Sequence, residues 1–226
     1  TKLNRDLKNL YKWLLANKIS LNAAKTELVI FRKPATINPT IKLKINGCRI
    51  APSSNIKYLG VHLDEFLTGE AHCNQLQKKL NRAKGMIAKS RHYLSNREQN
   101  LLAIYHSIYA SHLIYGCQIW GQTNTPSFNK IKINQNNALH LVSFATSFRD
   151  HVSPIYHRYE LLKLRDHVTL QNLLLIHDFF NGKLPNSFKN YFTLSSDLHN
   201  HGTRGALRGQ LFAQNVETVR YGRNSI

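Results

Sequence analysis

The sequence predicts an α+β protein in which one helix and a small antiparallel sheet are followed by a helical bundle and an irregular tail. Three observations support this fold class. Apolar residues have helical spacing over residues 3–17, strand-like alternation and clustering over residues 27–64, and helical spacing again from residue 70 to residue 182. The short β-prone run 55–64 is therefore the junction between two architectures.

The first part of the chain contains one predicted helix and several predicted strands. Residues 3–17 place leucines on one stripe and basic residues outside it, which is typical of an amphipathic helix. Residues 27–31 are mainly large apolar residues and predict a buried strand. Residues 41–45 alternate apolar and basic side chains, which predicts a half-exposed strand, and the Asn-Gly pair at 46–47 is a strong hairpin-turn signal.

The helix predicted over residues 70–94 has two different faces. Its apolar side chains fall on one face, whereas Lys78, Arg82 and Lys89 fall on the opposite face. Residues 71–97 contain seven Lys or Arg and no carboxylate. A basic face of this kind either remains solvated or follows the phosphates of a nucleic acid, and the lack of acidic residues favours the second interpretation.

The remaining residues predict more helices and then a tail. Residues 97–120 carry almost no charge and predict a helix, or a kinked pair, at the buried centre of the helical part. Their aromatic residues could stack on bases, although their density and spacing are more typical of a core. Three further helices are predicted over residues 126–145, 154–164 and 166–182. Pro185 is expected to stop the last of them, and the polar, glycine-containing residues 195–226 predict loop with weak strands.

These elements predict three segments along the chain. Residues 1–66 contain the first helix and the strands, residues 67–150 contain the long helices, and residues 151–226 contain the last helices and the tail. The chain begins with Thr1 instead of methionine, so we expect it to be part of a longer polypeptide.

The charge of the chain predicts its class of partner. Lys and Arg number 31 against 12 Asp and Glu, a net charge of +19. This excess attracts polyanions, of which nucleic acid is the most common, and a basic protein with a solvated surface is the other interpretation. No apolar run approaches the roughly 20 residues of a membrane-spanning helix, so no membrane partner is predicted.

The cysteines and histidines predict no metal site. Cys48, Cys73 and Cys117 are far apart, with no Cys-x-x-Cys pair, and their odd number argues against a disulfide framework. We expect them to be buried thiols in a reducing compartment. The twelve histidines lack carboxylate or cysteine neighbours at the spacing of metal ligands.

Several short motifs, taken in order, resemble reverse transcriptases of non-LTR (LINE-type, jockey-like) retrotransposons. The resemblance covers nearly the whole chain and extends from the end of the palm through the thumb to the C-terminal region. The motifs are Asn17-Lys18-Ile19, Leu21-Asn22, Lys25-Thr26, Ile45-Asn46-Gly47, Lys57-Tyr58-Leu59-Gly60-Val61, Leu63-Asp64, Tyr115-Gly116, Leu184-Pro185, Thr203-Arg204 and Tyr221-Gly222.

The resemblance implies a right-hand polymerase fold and several roles. Lys57, Tyr58, Leu59 and Gly60 correspond to the primer grip, which holds the growing 3′ end beside the active site. Lys25 matches the position proposed to protonate the leaving pyrophosphate, and a surface lysine after a turn is an equally good interpretation of it. The implied partners are an RNA template, a DNA primer and the upstream fingers and palm of the same polypeptide, in the nucleus or cytoplasm.

The sequence also departs from the family. Gly69 replaces a tryptophan that is frequent there, and we expect it to loosen this part of the chain. Nucleotidyl transfer needs carboxylates that hold two Mg²⁺ ions, and this chain lacks the Asp-Asp pair that the family supplies. The adjacent acids Asp64 and Glu65 follow the primer-grip run, and Asp64 is interpreted as a strand-end or helix-cap residue. We therefore expect Mg²⁺ in the complete enzyme and no cofactor or metal bound by this part.

These features lead to one function hypothesis and two alternatives. The first is a fragment of an RNA-directed DNA polymerase that binds primer–template through Lys57–Gly60 and the basic face around Lys78, Arg82 and Lys89, and is inactive alone. The second is a stand-alone basic nucleic-acid-binding module. The third is a decayed retroelement remnant without a selected function.

Overall fold

A computed structural model describes residues 2–22, 25–37, 40–94, 97–123, 125–144, 150–198 and 201–212. Contacts divide the chain into two compact units, Thr1–Gln75 and Leu76–Ile226. The described residues form helices and two small antiparallel sheets, which confirms the predicted α+β class. None of the described helices is long and apolar enough to cross a membrane. The three-segment division predicted from the sequence stays a prediction.

The first unit is built from one helix and two β-hairpins. Its elements are α1 (Lys2–Ala16), β1 (Leu43–Ile45), β2 (Cys48–Ile50), β3 (Asn55–Tyr58) and β4 (Val61–Asp64). β1 pairs with β2 and β3 with β4, each in antiparallel register. Both hairpins turn through two residues with positive φ, namely Asn46 and Gly47 at 49° and 76°, and Leu59 and Gly60 at 45° and 86°. The hairpin predicted at Asn46-Gly47 is therefore confirmed, because such turns suit the twist of the paired strands.

A small apolar core lies between α1 and the first hairpin. Leu43, Ile45 and Ile50 are buried there, and Leu7 and Tyr11 of α1 pack against them. The helix itself has no fully buried residue. Only part of the apolar stripe predicted for α1 packs against this core. Three of its side chains are about half exposed in the described structure: Leu3, Leu10 and Trp13.

The strand predicted over residues 27–31 is wrong. Leu28 makes one isolated parallel bridge with Pro52, and the residues after it have no strand assignment. The Leu28 carbonyl accepts from the Ser53 amide at 2.7 Å. Because proline has no amide proton, Pro52 cannot extend this bridge into a ladder. Leu28, Val29 and Ile30 are half-buried, and Phe31 is exposed.

The helix that follows the second hairpin agrees with its predicted amphipathic pattern. It is α2, Glu70–Ser90, and it begins in the first unit and continues into the second. Its buried side chains recur every three or four residues, which is the spacing of one helical face. They are Cys73, Leu76, Leu80, Ala83 and Ile87.

The second unit is helical. After α2 it contains α3 (Arg97–Ile104), a π-helical segment (Tyr105–Ala110), α4 (Ser111–Ile114), α5 (Cys117–Trp120), α6 (Pro126–Val142), α7 (Ser153–Arg158), α8 (Leu164–Phe180), a 3₁₀ turn (Asn186–Asn190), α9 (Ser195–Leu198) and α10 (Arg204–Leu207). The helices predicted over residues 126–145, 154–164 and 166–182 thus exist, and the second of them is several residues shorter than expected.

The nearly uncharged segment 97–120 is kinked, which is one of the two forms predicted for it. A π-helical turn lies at its middle, where the Ser107 hydroxyl donates to the Ala103 carbonyl at 2.8 Å. Gly116, at φ 62°, then separates α4 from α5. The prediction of a buried centre is wrong at Tyr115 and Ile119, which are exposed on either side of this break.

The central aromatic residues of this segment belong to the core. Tyr105 and Tyr109 are buried, and their rings stack with centroids 5.2 Å apart. Trp120 is also buried, and its indole Nε1–H donates to the Tyr115 carbonyl at 3.0 Å. The core interpretation is thus confirmed for these rings, and they are not available for stacking on bases.

Helix α8 ends close to residue 182 as predicted, but a glycine cap, and not Pro185, ends it. It ends at Phe180, and Gly182 follows with φ 65°. The amide of Gly182 donates to the Phe179 carbonyl at 3.0 Å and the amide of Lys183 donates to the Asp178 carbonyl at 2.9 Å. This is a Schellman cap, which needs a residue that tolerates a left-handed backbone.

The end of the chain is more helical than predicted. Within residues 195–212 the described structure contains the short helices α9 and α10 and one bridge between Leu194 and Leu211, instead of loop with weak strands alone. Residues 213–226, which carry the rest of this prediction, lie outside the described residues.

The three cysteines differ in burial, so the expectation of buried thiols is wrong for Cys48. Cys48 is exposed on β2, whereas Cys73 and Cys117 are buried. Burial raises the pKa of the Cys73 thiol to about 12 and that of Cys117 to about 11. Because the thiolate is the reactive form, these two thiols are protected at neutral pH both by access and by protonation.

We expect a thiol reagent at pH 8 to label Cys48 alone in the folded chain and all three cysteines after denaturation. Mass spectrometry of labelled peptides measures this directly. The matched variant Cys48→Ser should take up no label while folded. Rapid labelling of Cys73 or Cys117 in the native chain would contradict the packing described above.

Candidate nucleic-acid interface

The predicted primer-grip residues form the tip of the second hairpin. Lys57 and Tyr58 are the last residues of β3, and Leu59 with Gly60 makes the turn into β4. Lys57, Tyr58 and Leu59 are exposed, Tyr58 by 62% and Leu59 by 73%. The structure therefore brings these four residues together on one projecting turn, with a cationic, an aromatic and an aliphatic side chain directed away from the core.

Hydrogen bonds hold this hairpin both near its tip and at its base. The His62 amide donates to Nδ1 of His72 at 3.2 Å, and the Glu65 amide donates to the Ser54 carbonyl at 2.9 Å. The Arg32 guanidinium lies 3.0 Å from the Glu65 carboxylate and stacks over the Phe66 ring. The tip is therefore carried on a well-held support, which limits the conformational entropy that a bound ligand would remove.

Asp64 organises the loop between this hairpin and α2. Its carboxylate accepts hydrogen bonds from the amides of Phe66, Thr68 and Gly69 and from the Thr68 hydroxyl, at 2.9 to 3.2 Å. The interpretation of Asp64 as a strand-end residue is thus confirmed. Gly69 adopts φ 73°, a conformation that favours glycine, and donates to Asp64, so the expectation that Gly69 loosens this region is not supported.

Leu59 occupies a backbone conformation that suits asparagine or glycine better than leucine. We expect Leu59→Asn to raise the free energy of unfolding of the first unit by about 0.5–1 kcal/mol, because the left-handed strain is relieved. Leu59→Val should lower it, since a β-branched side chain is poorer still at positive φ. Denaturant unfolding of the three proteins measures both changes, and equal shifts in one direction would contradict the assignment of strain to this residue.

The predicted basic residues of α2 are exposed. Lys78, Arg82 and Lys89 lie away from the buried stripe of that helix. Their positions are four and seven residues apart, so they follow one side of the helix over about 16 Å at 1.5 Å per residue. These three residues belong to the second unit and the hairpin tip belongs to the first.

Lys25 lies on the surface after a turn. Its amide donates to the Asn22 side-chain oxygen at 3.2 Å, and the Thr26 hydroxyl donates to the Asn22 carbonyl at 3.1 Å. The lysine side chain is exposed. This position is compatible with both interpretations of Lys25, and its role as a general acid stays a prediction.

The described residues do not fit a two-metal catalytic centre. No three His, Cys, Asp or Glu side chains among them are grouped so that they could hold a metal ion. The Asp64 carboxylate is already used by the loop amides, and the Glu65 carboxylate pairs with Arg32. No catalytic step through Mg²⁺ is therefore assigned to these residues.

Sequence reasoning missed two features of the first unit. One is the Arg32–Glu65 ion pair, whose partners are 33 residues apart in the chain and carry no local signal. The other is a basic cleft between α1 and the first hairpin. A signal for the cleft exists in the i, i+4 pair Lys8 and Lys12 and in Lys44 at the outward position of β1, but only the fold brings them together.

The chain is similar to polymerases encoded by mobile elements. It is 32% identical over 136 residues to the probable RNA-directed DNA polymerase from transposon X-element of Drosophila melanogaster, covering 58% of this chain and 14% of that protein. It is 31% identical over 138 residues to the RNA-directed DNA polymerase from mobile element jockey of Drosophila funebris, with 59% and 14% covered. A third relative, the probable RNA-directed DNA polymerase from transposon BS of Drosophila melanogaster, is 25% identical over 146 residues, with 62% and 16% covered.

These homologues confirm the resemblance to non-LTR retrotransposon polymerases over about 59% of this chain. The chain spans about 14% of the length of the first two relatives. No family model matches the chain, and no solved structure matches it significantly.

Proposed function

Because the homologues of this chain are RNA-directed DNA polymerases of non-LTR retrotransposons, we propose that it is part of such an enzyme and binds the primer–template duplex. The observation that carries the proposal is the exposed basic face of α2, with Lys78, Arg82 and Lys89 on a segment that has no carboxylate between residues 71 and 97. A face of this kind gains binding free energy when phosphates replace the counterions around it.

The two units fit different parts of a right-hand polymerase in this proposal. The first unit, with α1 and the hairpins, corresponds to the end of the palm. The helical second unit corresponds to the thumb and the residues that follow it. The support for this assignment is the order of the elements, with α1 and the strands up to Asp64 and helices from Glu70 onward.

The hairpin tip is the proposed primer grip. Lys57 offers an ammonium group to a phosphate, and the exposed Tyr58 ring offers a surface to a sugar or base. Gly60 allows the nucleic-acid backbone to approach closely because it has no side chain. The hairpin thus orients a 3′ end and holds it, and the stiff base of the hairpin keeps that position defined.

Catalysis needs groups beyond those described. Two Mg²⁺ ions stabilise the attacking and leaving oxygens in nucleotidyl transfer when carboxylates hold them. The described residues supply no such set, so the chain alone binds primer–template and does not extend it. Lys25 is the candidate proton donor to the leaving pyrophosphate in the complete polypeptide, beside the upstream fingers and palm that contribute the carboxylates.

The test is a salt titration of duplex binding. The variant Lys78→Gln/Arg82→Gln/Lys89→Gln should reduce the slope of log K against log salt by about 2–3, because each duplex phosphate contributes about 0.9. The control variant Lys130→Gln/Lys132→Gln/Arg204→Gln removes the same charges from exposed positions of the same unit. Fluorescence anisotropy with an RNA–DNA duplex measures the binding constant at each salt concentration.

The two variants have equal net charge, so a general loss of positive charge affects both alike. An equal change in slope for both would contradict a specific role for the α2 face. A wild-type binding constant that does not depend on salt would contradict nucleic-acid binding by phosphate neutralisation altogether.

A further inference from the structure

The first unit contains a basic cleft that no predicted site includes. It lies between α1 and the first hairpin and has a volume of about 570 Å³. Clefts of this size are large enough for a nucleotide-sized ligand. It is lined by Asn4, Lys8, Tyr11, Lys12, Leu15, Lys44, Asn46 and Gly47.

The walls of the cleft are held together by one side chain. The Asn4 amide group accepts from the Lys44 amide through Oδ1 and donates to the Lys42 carbonyl through Nδ2, both at 3.1 Å. These two bonds replace a neighbouring strand at the free edge of β1 and fix α1 beside it. Tyr11 also packs on the core of Leu43, Ile45 and Ile50. The cleft is therefore formed before any ligand arrives.

The lining of the cleft has one sign of charge. It contains Lys8, Lys12 and Lys44 and no Asp or Glu. Lys8 and Lys12 are one turn apart on α1, about 6 Å along its axis, and Lys44 projects from the facing strand. Lysines on both walls and the absence of a carboxylate from the lining give this concave surface a positive potential, which the walls focus on its interior. This potential attracts an anion into the cleft.

We propose that this cleft binds the phosphate groups of a single-stranded nucleic acid, with a base against Tyr11 and Leu15. The inference rests on the proposed function and adds a third contact to the hairpin tip and the α2 face. Lysine serves as a point charge for phosphate, and an aromatic ring beside it accepts any base by stacking. An acidic peptide would be better matched by the planar fork of arginine, which the lining lacks.

The central test compares two triple variants of the full 226-residue chain. Lys8→Gln/Lys12→Gln/Lys44→Gln neutralises the cleft, and Lys2→Gln/Lys18→Gln/Lys33→Gln neutralises three exposed lysines of the same unit outside the lining. The probe is a fluorescent single-stranded oligonucleotide, followed by anisotropy over a range of salt concentrations. The cleft variant should lose about 2 from the salt slope, since a single-strand phosphate contributes about 0.7, and should bind about tenfold more weakly.

Two further measurements keep the result specific. Lys8→Arg/Lys12→Arg/Lys44→Arg preserves the charge and should retain at least half of the wild-type affinity, which assigns the loss in the glutamine variant to the missing charge. Ultraviolet crosslinking followed by mass spectrometry should place a nucleotide adduct on Tyr11 in the wild-type chain. Tyr11→Phe, which keeps the ring and its core contacts, should bind within about twofold of wild type.

The outcomes separate this inference from the proposed function. If the wild-type chain binds but the cleft variant and its control behave alike, the cleft assignment is overturned and the proposed function stands. If the wild-type chain binds neither single strand nor duplex, both fail. If polyglutamate displaces the oligonucleotide from the cleft at equal charge concentration and no adduct forms on Tyr11, the cleft accepts acidic peptides and the nucleic-acid assignment is overturned.

Discussion

Replacing Gln135 with leucine is expected to lower the free energy of unfolding of the second unit by about 2–5 kcal/mol. Gln135 is 1% exposed on α6. Its Oε1 accepts from the Leu164 amide at 2.9 Å, and its Nε2 donates to the Tyr105 hydroxyl at 3.2 Å and to the Leu162 carbonyl at 3.1 Å. Leucine has a similar volume and none of these hydrogen-bonding groups, so the Leu164 amide and the Tyr105 hydroxyl remain buried without this partner.

The effect reaches beyond one contact, because Gln135 connects three parts of the helical unit. The bonds join α6 to the π-helical turn at Tyr105 and to the start of α8 at Leu164. Lys132→Leu adds an apolar residue at an exposed position of the same helix and should change stability by less than about 0.5 kcal/mol. Urea denaturation followed by far-ultraviolet circular dichroism compares the two variants, and equal stability would refute the role assigned to Gln135.

Replacing Asp64 with alanine is expected to lower the free energy of unfolding of the first unit by about 2–4 kcal/mol. The half-buried Asp64 carboxylate accepts hydrogen bonds from three amides and one hydroxyl, and alanine would leave these donors without that acceptor. Because hydrogen bonds to a charged group are stronger than those to a neutral one, Asp64→Asn should cost roughly half as much. Asparagine keeps one acceptor oxygen and directs an amide nitrogen at the other donors.

Asp64→Ala should also change hydrogen exchange at the amides that bond to the carboxylate, in addition to lowering overall stability. Hydrogen exchange of the amides at Phe66, Thr68 and Gly69 should accelerate strongly in Asp64→Ala, whereas the amides of the first hairpin should follow only the overall loss of stability. Unchanged exchange at these three amides would show that water or other groups replace the carboxylate. Since this loop connects the proposed primer grip to α2, loosening it should also weaken duplex binding.

The basic residues of the candidate interface could be predicted from the sequence, but the contacts that hold them in place could not. The 3.6-residue period alone predicts an outward face for Lys78, Arg82 and Lys89, and all three are exposed. That assignment is possible because a helix face depends only on residues within a few turns. Whether the face binds phosphates stays a prediction, as does the role of Lys57–Gly60.

The supporting contacts of the site could not be predicted, because their partners are distant in sequence. The His72 side chain accepts a hydrogen bond from the His62 amide, and Arg32 forms an ion pair with Glu65, which is 33 residues away in the sequence. The basic cleft depends on the hydrogen bond between the Lys44 amide and the Asn4 side chain, which are 40 residues apart in the sequence. None of these pairs has a compositional or periodic signal, since each depends on how α1 and the hairpins pack.

Local patterns predict the helices with one apolar face, the two-residue turn at Asn46-Gly47 and the basic stripe of α2, and the order of the motifs predicts the similarity to mobile-element polymerases. Backbone preferences and side-chain periods act over a few residues, so they can be recognised without knowledge of the fold. Tertiary packing was needed to establish that Leu28 forms a single bridge with Pro52 and no strand, and that Gln135 joins three helical segments. Strand ladders and buried polar groups are satisfied by partners far along the chain, and those partners are fixed only when the whole unit packs.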